Sequence, residues 1–184
     1  MKLRATLLAA FVLALLPGRL LADANGFALR SPAFGAGATM PKTAEFRGDG
    51  CLGGNVSPRL EWFGVPAGTK SFVLTVHDPD APAPGGWWHW VRYDIPAERR
   101  SIPAASDSGA GYGRDGTNSF GGSAYGGPCP PVGDAPHHYN FVLRALDIPL
   151  VRAGAATTGP ALEKLIAGHI LGSARLTGRF GRPR

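Results

Sequence analysis

Residues 72–95 read FVLTVHDPDAPAPGGWWHWVRYDI, and the fold can be predicted from the pattern of this stretch outward. It contains two runs that are rich in β-branched and aromatic residues, 72–77 and 88–95. Between them lies a segment dominated by Pro, Gly and Asp. Runs of the first kind are typical of strands, and Pro and Gly between such runs are typical of turns. The stretch therefore predicts a strand, a rigid turn and a second strand.

Alternating side chains divide the second of these strands into two faces. A period of two assigns to the more apolar face His89, Val91, Tyr93 and Ile95. The opposite face then carries Trp88, Trp90, Arg92 and Asp94. His89 is thus expected on the apolar side of the sheet.

Further elements flank this stretch. Residues 137–146 alternate in the same way, and residues 173–180 alternate as a last strand. A helical period of apolar residues runs from 162 to 170, with Pro160 suited to the first turn and Gly172 to the end. These elements predict a mostly β protein, an antiparallel β-sandwich with a few peripheral helices.

Length and composition fit one domain of this kind. The chain has 184 residues, enough for one well-packed core and too few for two comfortable domains. Its 27 glycines and 17 prolines favour short strands and long turns over a helical bundle. Residues 106–136 are especially dense in Gly, Pro, Asn and Asp, and loops of that length are functional or disordered. We assign residues 23–184 to a single domain.

The N-terminus has the pattern of a secretory signal peptide. Lys2 and Arg4 precede an uncharged apolar run at 5–16, and small residues near position 22 suit cleavage. A membrane span would need about 20 apolar residues, and Pro-Gly-Arg at 17–19 ends this run early. We therefore predict a cleaved signal peptide at 1–22, no membrane span, and a periplasmic or secreted protein.

The charge pattern disfavours nucleic-acid binding. Loss of the leader lowers the formal net charge from +6 to +3, because three basic residues leave with it. Nucleic-acid binding requires a dense basic patch to neutralise phosphates, and the sequence has none. Four arginines do gather near the C-terminus, but they are expected to form a solvated tail: Arg175, Arg179, Arg182 and Arg184.

Three motifs carry a family resemblance. The Asp-Pro-Asp-Ala-Pro turn at 78–82 precedes a Trp-His strand, and Gly-Pro-Cys-Pro-Pro at 127–131 precedes His-His-Tyr at 137–139. The glycine-rich stretch 50–58 lies before both. Together they resemble the signature regions of the phosphatidylethanolamine-binding or Raf kinase inhibitor-like family, and in particular its bacterial periplasmic type. The resemblance spans about residues 26–180, in the order that the family has.

The resemblance implies a β-sandwich with a small pocket that accepts phosphate-like or carboxylate groups and performs no catalysis. Matched position by position, the ligand-binding residues are Asp78, His89, Pro130, Pro131, His137 and Tyr139. His138, the middle residue of its motif, points to the opposite face of its strand. The implied partner is a small anionic ligand, phosphate or a phosphoryl group, and no cofactor is implied.

The chemistry of these side chains suits an anion. Imidazole and phenol groups can donate hydrogen bonds to an oxyanion, and Asp78 can hold an imidazole in one tautomer. On this interpretation, anion binding strengthens as the pH falls through the histidine range near about 6.5.

Two other functions stay open. Relatives in the family inhibit protein partners, so the chain could act as a kinase- or protease-inhibitor-like regulator of a protein target. The alternative is a metal-dependent hydrolase, with a divalent ion held by Asp78, Asp80, His89 and His137. The helical metal motif His-Glu-x-x-His is missing, and neither motif contains a glutamate base, so we favour binding over catalysis and predict no metal site.

Cys51 and Cys129 are the two cysteines of the chain. An exported protein meets oxidising conditions, and both residues belong to loops that flank the expected pocket. We predict a disulfide between them, the alternative being two buried thiols.

Overall fold

A computed structural model describes residues 26–105 and 111–184. Ten strands follow one another along the chain: β1 (Ala28–Arg30), β2 (Arg47–Gly48), β3 (Cys51–Leu52), β4 (Leu60–Phe63), β5 (Ser71–Asp78), β6 (Trp87–Pro96), β7 (Ser101–Ile102), β8 (Arg114–Asp115), β9 (His137–Leu146) and β10 (Ile170–Phe180). A 3-10 helix at Lys42–Ala44 and one α-helix, α1 (Gly159–Ile166), complete the described elements.

The strands form two main sheets and a short hairpin. One sheet has the order β1-β4-β7, and the larger sheet has the order β10-β9-β5-β6-β8. The hairpin joins β2 to β3. Adjacent strands pair in the antiparallel sense throughout these sheets. The predicted antiparallel β-sandwich is confirmed.

The main core lies between the two sheets. β4 contributes Leu60 and Trp62, and the larger sheet contributes Phe72 and Phe141, all of them fully buried. The rings of Trp62 and Phe72 meet edge to face with their centroids 5.4 Å apart. Burial of one large apolar side chain stabilises the fold by about 1.5–3 kcal/mol, so these alternating positions hold the layers together.

A second, smaller core covers the outer face of the larger sheet. Leu162 and Ile166 of α1 pack there against Val73, Val91 and Leu146. α1 has Pro160 in its first turn, as predicted, but it ends at Ile166. The predicted continuation to Ile170 is wrong, because Gly168 follows the last turn and Ile170 already pairs with Leu146 in the sheet.

A β-bulge interrupts β6 near the start of the strand. Val76 of β5 pairs with Trp90, whereas the next residue, His77, pairs with Trp88. His89 is therefore an extra residue with no partner of its own in β5. Bulges of this kind redirect a side chain, and they are common beside functional sites.

The bulges also change which residues share a face. A second register shift lies where β6 contains Asp94, whose φ is 56°. As a result Val91 and Tyr93 belong to the outer core, whereas Ile95 belongs to the main core. The predicted common face for these residues and His89 is wrong, because each extra residue reverses the alternation.

The predicted signal peptide at 1–22 lies outside the described residues. In the part of the chain that is described, no helix has both the length and the apolar character needed to cross a membrane. Within the predicted loop at 106–136, residues 106–110 are not described, and the remainder contains β8 and reaches over the end of the larger sheet.

Candidate ligand-binding site

A cavity of about 270 Å³ opens where β5 ends and where β6 and β9 begin. The antiparallel order of these strands brings their ends to one edge of the larger sheet. The lining residues come from these strands, from the loops between them and from both ends of the domain: Asp49, Asp78, Ala81, Pro82, Trp87, His89, Phe120, Cys129, Pro130, Pro131, His137, Tyr139 and Arg182.

The structure brings all the sequence-predicted site residues to this cavity. They are Asp78, His89, Pro130, Pro131, His137 and Tyr139. They come from two motifs that are far apart in the chain, and β5 joins them by pairing with both β6 and β9. Their role in binding stays a prediction.

Asp78 is a buried carboxylate whose two oxygens are both engaged. Oδ1 accepts hydrogen bonds from the backbone N–H groups of Asp80 at 2.8 Å and Ala81 at 3.1 Å. Oδ2 lies 2.8 Å from Nδ1 of His137, which donates to it. Only 3% of Asp78 and 6% of His137 is exposed. The pair therefore fixes the imidazole of His137 at the rim of the cavity, as a carboxylate does for a catalytic or ligating histidine.

A tight turn between β5 and β6 supports Asp78. Gly86 adopts a φ of +76°, and a Cβ at this position would overlap the carbonyl oxygen of Asp78. Only glycine accepts both this dihedral angle and this close approach. The Gly-Gly step before the tryptophans thus lets β6 start directly beside the end of β5.

His89 is held by backbone carbonyl groups. Its Nδ1 lies 2.8 Å from the carbonyl oxygen of Gly126 and 3.1 Å from that of Gly127. Carbonyl oxygens only accept hydrogen bonds, so Nδ1 must carry the proton. Burial lowers the pKa of His89 to about 4, although the carbonyl groups and Asp78 act in the opposite direction.

At neutral pH, Nε2 of His89 therefore presents a lone pair. Within the described part of the chain this atom is buried and has no hydrogen-bond partner. The expected strengthening of anion binding near pH 6.5 stays a prediction, and His89 is not expected to contribute to it, because burial holds its pKa at about 4. The sequence could not show this, since the carbonyl groups reach His89 only after the loop has folded.

Tyr139 contributes a hydroxyl group beside the ring of His89. The two ring centroids are 5.1 Å apart, and the rings meet edge to face. Burial, and secondly the charge of Asp78, raises the pKa of Tyr139, so the hydroxyl keeps its proton and can donate. Among the described residues, none accepts a hydrogen bond of good geometry from this hydroxyl.

Several lining residues were not among those predicted from the sequence. Trp87 and Phe120 form an apolar wall, with their rings edge to face at 5.3 Å. The indole Nε1–H of Trp87 is also buried without a partner among the described residues. Its position directly before the predicted Trp-His strand was the available signal. Phe120 carried no such signal, because it belongs to the long loop.

Arg182 is the positive charge of the cavity lining. Its Nε donates to the carbonyl oxygen of Pro130 at 2.5 Å, and one Nη donates to that of Gly50 at 3.0 Å. The backbone is held too, since the carbonyl group of Arg182 accepts from the N–H of Gly133. The expectation of a solvated tail is wrong for this arginine, because the chain after β10 pairs with the segment beyond the Pro130–Pro131 wall.

The predicted disulfide is confirmed. Cys51 and Cys129 are joined by an S–S bond, with their Cα atoms 5.9 Å apart. Cys129 lines the cavity, and Cys51 begins β3 beside the turn that carries Asp49. The bond thus ties the β2–β3 hairpin to the proline wall.

The residues of the metal-site alternative have other partners. Asp80 accepts from the backbone N–H and from Nδ1 of His138, both on the outside of the sheet, at 2.7 and 2.8 Å. His89 uses Nδ1 for the backbone, and Asp78 uses both oxygens as described above. Over residues 26–105 and 111–184, no group of three or more His, Cys, Asp or Glu side chains could hold a metal ion.

A family model confirms the resemblance. The model described as "Phosphatidylethanolamine-binding protein" matches residues 30–181. This chain belongs to the phosphatidylethanolamine-binding protein family. The matched range includes the disulfide and every lining residue of the cavity except Arg182.

Individual members of the family are similar over most of their length. The UPF0098 protein YbcL of Escherichia coli is 40% identical over 166 residues, which cover 85% of this chain and 88% of YbcL. The UPF0098 protein YbhB of the same organism is 41% identical over 148 residues, which cover 78% of this chain and 93% of YbhB. The likeness to the bacterial type of the family is thereby confirmed.

Solved structures agree with the fold. The crystal structure of E. coli YbcL, described as a member of the mammalian family, superposes with a TM-score of 0.80 at 38% identity. The match covers 84% of this chain and 98% of that one. A Chlamydia trachomatis homologue of the family superposes with a TM-score of 0.76 at 32% identity, covering 86% and 99%.

Proposed function

We propose that this member of the phosphatidylethanolamine-binding protein family is an exported binding protein that holds a small phosphate-like anion in the cavity and performs no reaction on it. One observation carries the proposal. The cavity is preformed, and polar atoms of its lining residues are buried without a hydrogen bond of good geometry to any described residue, among them the Tyr139 hydroxyl and Nε2 of His89. Buried polar atoms are nearly always hydrogen-bonded, so a ligand is the natural partner for these two.

The size and lining of the cavity favour a small group. The volume of about 270 Å³ lies just below the usual range of roughly 300–1,000 Å³ for ligand pockets. Apolar walls of Trp87, Phe120 and the two prolines surround a few polar atoms. Such a lining excludes water around a head group while leaving the remainder of a larger molecule outside.

One guanidinium group is available to an anion at this place. The guanidinium group of Arg182 is always protonated, and its hydrogen bonds to Pro130 and Gly50 hold it at the cavity. The Tyr139 hydroxyl adds a neutral donor to the lining, near the start of β9. Donors of both kinds strengthen binding of an oxyanion.

Binding without turnover is supported by the state of the reactive groups. Asp78 has both oxygens hydrogen-bonded, so this buried carboxylate is not free to act as a base. Among the described residues that line the cavity there is no serine, threonine or lysine, and its one cysteine, Cys129, is in a disulfide. A nucleophile paired with a free base, which covalent catalysis requires, is thus missing from these residues.

Export is supported by the signal-peptide pattern at 1–22 and by the Cys51–Cys129 disulfide, since disulfides persist in oxidising compartments. We expect the mature protein to begin at Asp23 or Asn25. Intact mass of periplasmic or secreted material measures this, and soluble protein that retains residues 1–22 contradicts it. The inhibitory role toward a protein kinase or protease stays a prediction from the family resemblance.

Calorimetry with inorganic phosphate and phosphorylethanolamine tests the anion pocket. Tyr139→Phe removes only the hydroxyl group, and Tyr112→Phe makes the same change on a tyrosine that packs on Arg99 outside the cavity. We expect Tyr139→Phe to weaken binding about tenfold to a hundredfold, because one hydrogen bond to a charged ligand is lost. Tyr112→Phe should bind like the wild type. Equal affinities in all proteins contradict the pocket, and hydrolysis of phosphorylethanolamine contradicts the non-catalytic function.

A further inference from the structure

The structure assigns a selectivity to this pocket: it prefers an oxyanion that carries one proton, such as a phosphate monoester in its singly charged form, and rejects an oxyanion that has no proton to donate. The inference rests on the proposed anion site and concerns which anion enters it. It follows from the hydrogen-bonding direction of His89 and from the charges around the cavity.

The hydrogen-bonding direction of His89 is fixed by its surroundings. Nδ1 lies within hydrogen-bond distance of two carbonyl oxygens, those of Gly126 and Gly127, and must therefore be the protonated nitrogen. Both carbonyl groups belong to the loop that the disulfide anchors through Cys129. The other tautomer, with the proton on Nε2, would place the lone pair of Nδ1 against these oxygens and is disfavoured. Nε2 is thus left as a buried acceptor in the lining.

An acceptor in the lining requires a donor on the ligand. A fully deprotonated oxyanion presents only lone pairs, so it would face Nε2 of His89 with repulsion and without a hydrogen bond. A ligand with one P–OH group can donate to Nε2 and still accept hydrogen bonds from Tyr139 and Arg182 with its other oxygens. The pocket offers both a hydrogen-bond acceptor and hydrogen-bond donors, and a singly protonated phosphoryl group can pair with both.

The charges around His89 also favour a singly charged anion. The titratable and charged groups that act on His89 or line the same cavity come from several elements: Asp78 and His77 of β5, His137 and Tyr139 of β9, Asp49 of the β2–β3 turn and Arg182 of the C-terminal segment. Two carboxylates and one guanidinium group are present in the lining. This balance disfavours a dianion over a monoanion, since each added negative charge meets Asp78 and Asp49.

Burial keeps the ring in this state over the working pH range. Desolvation lowers the pKa of His89 to about 4, so the ring remains an acceptor at pH 5–8. The dianion of a phosphate monoester takes up one proton at about pH 6 and becomes the singly charged form. The pH dependence of binding should therefore come from the ligand and not from the protein.

Calorimetry on the full mature chain between pH 5 and 8 tests this with three probes. Ethyl phosphate gains a proton in this range, whereas dimethyl phosphate and sulfate have none to donate. We expect the affinity for ethyl phosphate to rise as the pH falls through about 6 and then level off. Dimethyl phosphate and sulfate should bind about tenfold to a hundredfold more weakly than ethyl phosphate at pH 5, with no dependence on pH.

The outcomes separate this inference from the proposed function. If sulfate and dimethyl phosphate also bind more tightly at low pH, the protein is the titrating partner and the inference is wrong. If all three probes bind equally at pH 5, the selectivity does not exist although the anion site does. If no probe binds at any pH, the proposed anion site fails and the inference fails with it.

His89→Gln provides a second test. A glutamine amide offers a donor as well as an acceptor, so it can meet a fully deprotonated oxyanion. We expect the preference for ethyl phosphate over sulfate to fall about tenfold in this variant. His169→Gln is the matched control, because His169 is exposed and pairs with Asp147 on the surface. An unchanged preference in His89→Gln overturns the inference, and the wild-type comparison above decides it if the variant does not fold.

Discussion

Two carboxylate–imidazole pairs lie side by side at the end of the larger sheet and differ in little except burial. Asp78 pairs with His137 and Asp80 pairs with His138, and in both pairs Nδ1 lies 2.8 Å from a carboxylate oxygen. The side chains of the first pair are 4% and 7% exposed, whereas those of the second are 41% and 47% exposed. We call them the inner pair and the outer pair.

Strand alternation creates the difference. His137 and His138 are neighbours at the start of β9, so one side chain points to the cavity and the other points to solvent. Asp78 and Asp80, two residues apart, are placed against them by the turn that follows β5. The same carboxylate–imidazole contact can build a site only in the inner pair, where water is excluded, since exposed ion pairs contribute little energy.

The largest expected effect is the loss of the inner pair. Asp78→Ala leaves the buried N–H of His137 and the partly buried backbone amides of Asp80 and Ala81 without their acceptor. We expect the free energy of unfolding to fall by about 3–5 kcal/mol, as when one partner of a buried pair is removed. Urea unfolding at pH 7 measures the loss of unfolding free energy. A loss below about 1 kcal/mol would contradict the distinction between the inner and the outer pair.

A third imidazole, that of His89, differs from both pairs, because it is buried against carbonyl groups and has no carboxylate bonded to it. Burial lowers its pKa to about 4, against an ordinary value of 6.5. The unfolded chain therefore binds a proton between these values while the folded chain does not. Stability that is present above about pH 6.5 is then lost as the pH falls toward 4.

The size of this loss follows from the shift in pKa. A shift from 6.5 to about 4 corresponds to ~3 kcal/mol of unfolding free energy by pH 4. Urea unfolding of wild type and His89→Gln at a series of pH values isolates the effect, because the glutamine does not titrate. The two curves should converge as the pH falls from 6.5 to 4, and parallel curves would refute the prediction.

The smallest expected effect belongs to the outer pair. Burial acts to raise the pKa of Asp80, but the hydrogen bonds and charge of His138 outweigh it, so the pKa lies below its ordinary value of 3.8. Asp80→Ala should lower the unfolding free energy by about 0.5–1 kcal/mol at pH 7, and high salt should reduce the difference. The contribution is present above pH 3.8 and disappears as the pH falls below it.

A surface pair elsewhere provides the control for this measurement. Asp147 accepts from Nδ1 of His169 at 2.9 Å, with both side chains more than two-fifths exposed. Asp147→Ala should therefore behave like Asp80→Ala. A loss for Asp80→Ala that approaches the loss for Asp78→Ala would mean that burial does not distinguish the two pairs.

Regular alternation is the part of this molecule that the sequence could predict. β9 is uninterrupted, so the buried positions of His137 and Tyr139 follow directly from its pattern. β6 contains two bulges, and the residues that share a face with His89 could not be predicted from a period of two. A bulge arises from the pairing of two strands, and the sequence of one strand does not contain that information.

Long-range contacts explain the other differences. Arg182 lies at the cavity because the chain after β10 returns to the proline wall, a placement that charge and composition do not encode. α1 ends at Ile166 because Ile170 is recruited into the sheet, although its apolar period continues in the sequence. In each case tertiary pairing overrode a correct local pattern.

The order of strands in the larger sheet governs when the cavity can form during folding. β5 and β6 are joined by a short turn, so Asp78 and Trp87 meet through a local hairpin. His137 lies 59 residues from Asp78 and arrives only when β9 docks, which requires closure of a long loop. Such non-local pairing is slow compared with hairpin formation. A ligand of the proposed site could therefore bind only after β9 has docked, and it would slow unfolding without speeding folding.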